Sequence, residues 1–149
     1  MYSAKISEQL AVVATIDPDA YAAAAYNTDA VDVSKFNRVL FIVMAGELGT
    51  SATLDFKLQW ATTSGGSYTD VSGKAITQLT QAGSDSDKQA LVEITAEELA
   101  GINSSAQFVR GVLTIGTATS DAGVVALGGV ARHGPVTDDD LTTVDEIVS

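Results

Sequence analysis

Two neighbouring runs of different period constrain this chain more than anything else in it. Residues Arg38 to Ala45, Arg-Val-Leu-Phe-Ile-Val-Met-Ala, are apolar without interruption after the opening arginine and rich in β-branched side chains. That is the pattern of a strand covered on both faces. Thr53 to Trp60 alternates strictly instead, with Leu54, Phe56, Leu58 and Trp60 on one side and Asp55, Lys57 and Gln59 on the other. Because strand side chains alternate faces, this run predicts a half-buried strand that sends the chain's single tryptophan inward with three other large apolar groups. Each of these contributes roughly 1.5 to 3 kcal/mol when fully buried. Gly46 and Gly49 close the first run, and Gly65-Gly66, within Thr62 to Val71, supplies the backbone freedom of a hairpin turn.

The rest of the chain reads as further short strands. Leu10 to Ile16 is strand-like and is expected to end at Asp17-Pro18-Asp19. Tyr21-Ala22-Ala23-Ala24-Ala25-Tyr26 has helical propensity, but six residues are too few for a stable isolated helix, so helix and extended chain both stay open. Ala75 to Leu79 and Ala90 to Ile94 read as short strands around an exposed polar loop, Gln81 to Lys88. Thr95-Ala96-Glu97-Glu98 has capping-box spacing, which predicts one or two helical turns ending near Gly101. Phe108 to Ile115 is a strand whose stripe of Val109, Leu113 and Ile115 is interrupted by Gly111. A turn over Ala118 to Gly123 follows. Val124 to Ala131 is apolar enough for a central strand, with Gly128-Gly129 marking a bulge or a close backbone approach, and ends at Gly134-Pro135. The expected fold is therefore all-β: a single antiparallel β-sandwich or jelly-roll-like barrel with one short helix and extended termini. Its order of strands is left open by the sequence.

A resemblance now enters. The order Val33-Ser34-Lys35-Phe36-Asn37-Arg38-Val39-Leu40-Phe41, a glycine-containing gap, an alternating strand and then Ser64-Gly65-Gly66-Ser67-Tyr68-Thr69-Asp70-Val71 resembles small virion structural proteins of tailed bacteriophages. Within that group it is most similar to head decoration, or cement, proteins, with a layout that runs over residues 30–134. The resemblance implies a protein that coats an assembled capsid and performs no catalysis. It implies the phage major capsid protein as partner, and a homotrimer at threefold or local threefold positions on the virion surface. Two alternatives stand beside it: a phage tail or head-to-tail connector subunit, and a carbohydrate-binding β-sandwich, for which Trp60 or the tyrosines must face solvent.

Charge and composition narrow the classes. A chain of 149 residues suits one domain, and a domain of this size buries about 68 to 70% of its extended-chain surface. With a net charge of −11 and only eight Lys plus Arg, attachment to nucleic acid or to an anionic membrane is not expected, because both reward clustered cations. Without cysteine there is neither disulfide framework nor thiolate chemistry. The run Leu10 to Ile16 lacks the pattern of a signal peptide, so synthesis and retention in the host cytoplasm before assembly are expected.

Catalytic and metal motifs are weak. His133, the sole histidine, has no Gly-x-Ser-x-Gly elbow to work with. The pairs Asp17 with Asp19 and Asp85 with Asp87, and the run Asp138 to Asp140, match no EF-hand spacing and read as solvated loops. No enzyme activity, cofactor or metal is expected. Organisation is read as an N-terminal arm over residues 1–9, a sandwich over 10–135 and an acidic C-terminal arm over 136–149. The second arm carries Asp138, Asp139, Asp140, Asp145 and Glu146 with Leu141, Val144, Ile147 and Val148 among them. Such an arm either docks on a neighbouring subunit or hangs free. Tyr2, Ile6, Tyr21, Leu141, Val144 and Ile147 are the candidate subunit or capsid contacts.

Overall fold

The long strands of the chain pair first with last, working inward. The structure, a computed structural model, describes residues 5–134 and 136–148. It contains β1 (Leu10–Tyr21), β2 (Ala24–Asn27), β3 (Val31–Asp32), β4 (Phe36–Ala45), β5 (Thr53–Ala61), β6 (Thr69–Ala75), β7 (Leu79–Thr80), β8 (Gln89–Thr95), α1 (Ala96–Ile102), β9 (Phe108–Gly116) and β10 (Ser120–Ala131). Strand β1 pairs with β10, β2 with β9, β4 with β8 and β5 with β6, all antiparallel. One long antiparallel double strand, turning between β5 and β6, is thus rolled into two sheets. The first has the order β1-β10-β4-β8 and the second β2-β9-β5-β6, with β3 and β7 added to β9 and β5. This is the strand order of a jelly roll, which resolves the sandwich expected from sequence.

The core lies between the sheets. Val39, Phe41, Val43 and Ala45 of β4 face inward, as do Leu54, Phe56 and Leu58 of β5, and all are buried. The Phe41 and Phe56 rings meet across the sheets at 5.9 Å between centroids. Strand β9 crosses this contact at Gly111, where any side chain would run into the Phe56 ring. Gly128 serves the same purpose on β10, since an added Cβ there would lie 2.8 Å from the Phe36 ring. Of the two roles expected for the paired glycines, close approach is the one the structure has. Thr95 accepts a hydrogen bond from the Glu98 amide at 3.0 Å while Glu98 accepts from the Thr95 amide at 2.9 Å, completing the predicted capping box.

Three expectations need correction, and the open choice between helix and extended chain over Tyr21 to Tyr26 is resolved. Strand β1 does not stop at Asp17 but runs through Pro18 to Tyr21, with a register shift between Ile16 and Asp19. The strand is at the sheet's edge, where a bulge accommodates a residue that lacks an amide donor. The segment Tyr21 to Tyr26 is not helical: Ala24–Asn27 pairs with β9, so ladder formation overrides alanine's propensity. Ala75 to Leu79 is not one strand: Ala75 ends β6, Leu79 begins β7, and Ile76 to Gln78 are the break between them. Residues 120–123, read as turn, already belong to β10, with Ala122 opposite Ala45 and Gly123 opposite Met44. Trp60 is also less covered than its three stripe partners; it is half-buried against the core at the strand's end.

Candidate functional site: the outer face of the first sheet

The register places the outward side chains of the first sheet in rows. One row is Val12, Leu127, Leu40 and Glu93; the next is Thr15, Val125, Ile42 and Leu91; and Gly123, Met44 and Gln89 follow. At the opposite end lie Leu10, Gly129, Arg38 and Thr95. The middle of this face is hydrocarbon, yet it is open: Leu91 is 62% exposed and Met44 43%. An antiparallel sheet normally shows solvent a polar outer face. Contiguous apolar surface of this kind marks an interaction site.

At the Leu10 end the face deepens into a groove of about 940 Å³, lined among others by Ile6, Leu10, Leu40, Leu127, Val130 and Val136. Ile6 belongs to a short 3-10 turn, Ile6–Glu8, that rises beside the sheet and leaves this side chain 73% exposed. Val130 forms the far wall in a left-handed conformation, φ 49°, and is 61% exposed. A β-branched residue in that region is strained, and strain of this kind clusters at functional sites. The charged residues of the lining are Glu8, Arg38 and Glu93, and Arg38 pairs with Glu93 at 3.1 Å; beyond the lining, Arg132 follows Ala131 and donates its backbone amide to the Lys35 carbonyl at 2.9 Å. The Arg132 side chain makes no ion pair among the described residues.

The acidic C-terminal segment lies along the free edge of β1 in the same chain. Val136 is buried and donates to the Glu8 carbonyl at 3.3 Å. Asp140 accepts from the Val12 amide at 2.6 Å, and the Leu141 amide donates to the Val12 carbonyl at 2.8 Å. Lys35 pairs with Asp139 at 2.8 Å, and this partner raises the lysine's pKa. Edge amides and carbonyls that would otherwise template pairing are thereby occupied. Beyond this clip, Val144 is half-buried, while Ile147 is 43% and Val148 86% exposed.

Of the sequence candidates, Ile6 lines the groove and Leu141 is hydrogen-bonded to Val12 on the edge of β1. Tyr21 lies at the far end of β1, its ring 4.5 Å from that of Tyr26 and its hydroxyl donating to the Asp17 carbonyl at 2.5 Å. Burial, and then the charges of Asp19 and Asp17, raise its pKa. Tyr2 lies outside the described residues. His133 is exposed after β10, and no group of three or more potential metal ligands occurs among the described residues. Sequence reasoning missed Leu10, Leu40, Ile42, Met44, Leu91 and Val130. The available signal was that the apolar run on β4 is two-sided, although one side of this antiparallel sheet is open.

Compared with protein-family models and with curated proteins, the chain has no match. Among solved structures, a chain in the structure of infectious bursal disease virus Gx strain is similar, with a TM-score of 0.42 and 8% identity. The likeness covers 85% of this chain and 32% of that one, so the chain spans about a third of its length.

Proposed function

We propose that this chain is a structural protein of a tailed-bacteriophage virion, a head decoration protein that binds the outside of the assembled capsid and bridges neighbouring capsid subunits. The observation that carries the reading is the apolar outer face of the first sheet, open around Leu91, Ile42 and Met44. Fold alone does not set a role, since jelly rolls serve capsids and lectins alike. The sequence resemblance supports the virion, and the open face supports docking on a large partner. The partner is the major capsid protein, a homotrimer is the favoured assembly, and the site of action is the capsid surface. Binding that prefers the assembled shell stabilises it by linkage, and several modest contacts on one oligomer add through avidity. No catalytic step is involved.

A carbohydrate-binding role needs an aromatic platform. Trp60 packs half-buried against the core, the Tyr21 and Tyr26 rings meet at a tilt, and Tyr68 lies under the Arg110 guanidinium. These placements favour protein docking over sugar stacking. The test is co-sedimentation with undecorated, expanded phage heads. Saturable binding at a fixed ratio to the major capsid subunit, with heads that resist heat better, is expected. No binding overturns the decoration reading, and rings or tubes of the free protein would favour a tail or connector subunit.

A further inference from the structure

We infer that the free edge of β8 pairs with the β8 edge of a second copy of this chain, antiparallel and centred on Leu91. The inference goes beyond the decoration reading. It concerns the backbone of one edge strand rather than the outer face, and it joins copies across a two-fold axis, apart from the threefold contact of the favoured trimer.

Backbone parity comes first. Among the described residues β8 has β4 on one side and no strand on the other. Ala45 donates to the Lys88 carbonyl at 2.9 Å, and the register then runs without a shift from Met44 opposite Gln89 to Arg38 opposite Thr95. Bonded and non-bonded pairs alternate in an antiparallel ladder. Ala90, Val92 and Ile94 therefore exchange bonds with β4, while Gln89, Leu91 and Glu93 turn their amides and carbonyls to the open side. Lys74 of β6 bears this out, its ammonium donating to the Glu93 carbonyl at 2.8 Å from that side. A carbonyl has two lone pairs, so one stays available to a second donor. Such a row templates strand pairing, and proteins usually blunt it. The other sheet edges are blunted. The C-terminal segment covers β1 at Val12, and Pro18 lies further along that strand. Strand β2 has four residues, and β6 carries a register shift against β5 and Gly73 at φ 75°. The seven residues of β8 include neither proline nor glycine.

A second copy is the occupant because the strand complements itself. With Leu91 opposite Leu91 of the second copy, Gln89 faces Glu93 and Ala90 faces Val92. Hydrocarbon then meets hydrocarbon, a side-chain amide meets a carboxylate, and all three outward residues fall at bonded positions. Centring on Ala90 instead sets Glu93 against Asp87, two like charges, and centring on Val92 sets Leu91 against Glu93. The Leu91 register satisfies the bonds and the side chains together. Pairing joins the two four-stranded sheets into one and carries the open row of Ile42 and Leu91 across the axis into its counterpart.

The chain has no cysteine, so single thiols introduced into the full chain report the pairing without background. In a bonded antiparallel pair the Cα atoms lie about 5.5 Å apart, inside the roughly 4.4 to 6.8 Å that a disulfide spans. Under mild oxidation in dilute solution, Leu91→Cys is expected to cross-link to a dimer at least about tenfold faster than Ser104→Cys, an exposed control. Gln89→Cys and Glu93→Cys are each expected to stay uncross-linked, since like positions lie more than about 13 Å apart. Their mixture is expected to cross-link. Leu91→Pro removes a central donor that points away from β4, and should weaken self-association in sedimentation equilibrium at least about tenfold while the strands are retained. Leu91→Lys, which sets like charges across the axis at an exposed position, should give the same loss if the proline disturbs the fold. Cross-linking of Leu91→Cys at the control's rate overturns the inference. So does Gln89→Cys alone cross-linking as fast as the mixture, or a wild type that stays monomeric at all concentrations. Head co-sedimentation keeps the two readings apart: heads bound by a chain that does not cross-link count against the pairing alone, and a cross-linking chain that binds no heads counts against decoration alone.

Discussion

The two outer faces of this sandwich are both antiparallel β surfaces and are chemically opposite. On the second sheet, Lys57 pairs with Asp70 at 2.7 Å, Gln59 donates to the same carboxylate at 2.7 Å, and Arg110 donates to Gln59 at 2.8 Å. The Arg110 guanidinium also lies 3.9 Å from the Tyr68 ring centroid, holding the hairpin between β5 and β6 against β9. Every one of these polar groups finds its partner within the chain. On the first sheet the corresponding positions are Leu40, Ile42, Met44, Leu91, Val125 and Leu127. A face whose groups satisfy one another has finished its work when the chain folds. A face of exposed hydrocarbon gains stability only when something else covers it.

The sharpest way to break that comparison is to put charge on the first face. The double variant I42K/L91E, which sets opposite charges across this cross-strand pair, is expected to lose head binding by at least about 100-fold, as for central interface anchors. Its melting temperature should change little, because both side chains point away from the core. A matching loss of thermal stability would mean that the face is part of the fold and not a docking surface.

The mirror experiment is Arg110→Ala on the second sheet. It removes the ring contact and the link to Gln59, and should lower stability by about 1 to 2 kcal/mol in a denaturant titration. Head binding should be unaffected. If the variant folds normally but stops binding, the assignment of the two faces is reversed.

Much of this contrast was legible in the sequence, and the part that was not has a physical reason. The alternation of Leu54 to Trp60 located the polar face of β5 directly, since a period of two leaves no other reading. The uninterrupted run on β4 was equally clear, but periodicity cannot say whether the second cover comes from the same chain or another. Strand order was hidden because pairing β1 with β10 joins residues more than a hundred positions apart, as in Leu10 opposite Gly129. No local pattern encodes that. Pro18 and the alanines before Tyr26 gave correct local signals that the ladder partners overrode. The groove was invisible for a further reason: Ile6, Leu40, Val130 and Val136 come together only after the roll is closed.

Val130 offers a finer discrimination within the first sheet. Replacement by glycine removes the left-handed strain of a β-branched residue, and the free chain should gain about 1 kcal/mol of stability. The same change removes a wall of the groove, so head binding should weaken while the melting temperature rises. Stability and assembly moving together would show that Val130 is a packing residue with no role at the surface.

The smallest effect separates the faces by pH. Asp70, on the second sheet, is held below its ordinary value by hydrogen bonds from Lys57 and then Gln59. Asp32 on β3 is also lowered: burial alone would raise it, but donors from Ser34 and Gln107 and the charge of Lys35 outweigh burial. A carboxylate whose pKa is depressed by folding contributes stability that is complete above its unfolded value, about 3.9 for aspartate. That contribution is lost as pH falls through the lower folded value. The chain should therefore melt earlier as the solution is acidified below about pH 4, and Asp70→Asn should flatten part of that slope. Contacts on the first face are hydrocarbon and carry no proton, so I42N/L91N, which adds no titrating group, should leave the acid slope of the free chain as it is in the wild type. An acid slope unchanged by Asp70→Asn would mean that the polar network on the second sheet adds nothing to the fold. The contrast between a self-satisfied face and an open one would then rest on hydrocarbon alone.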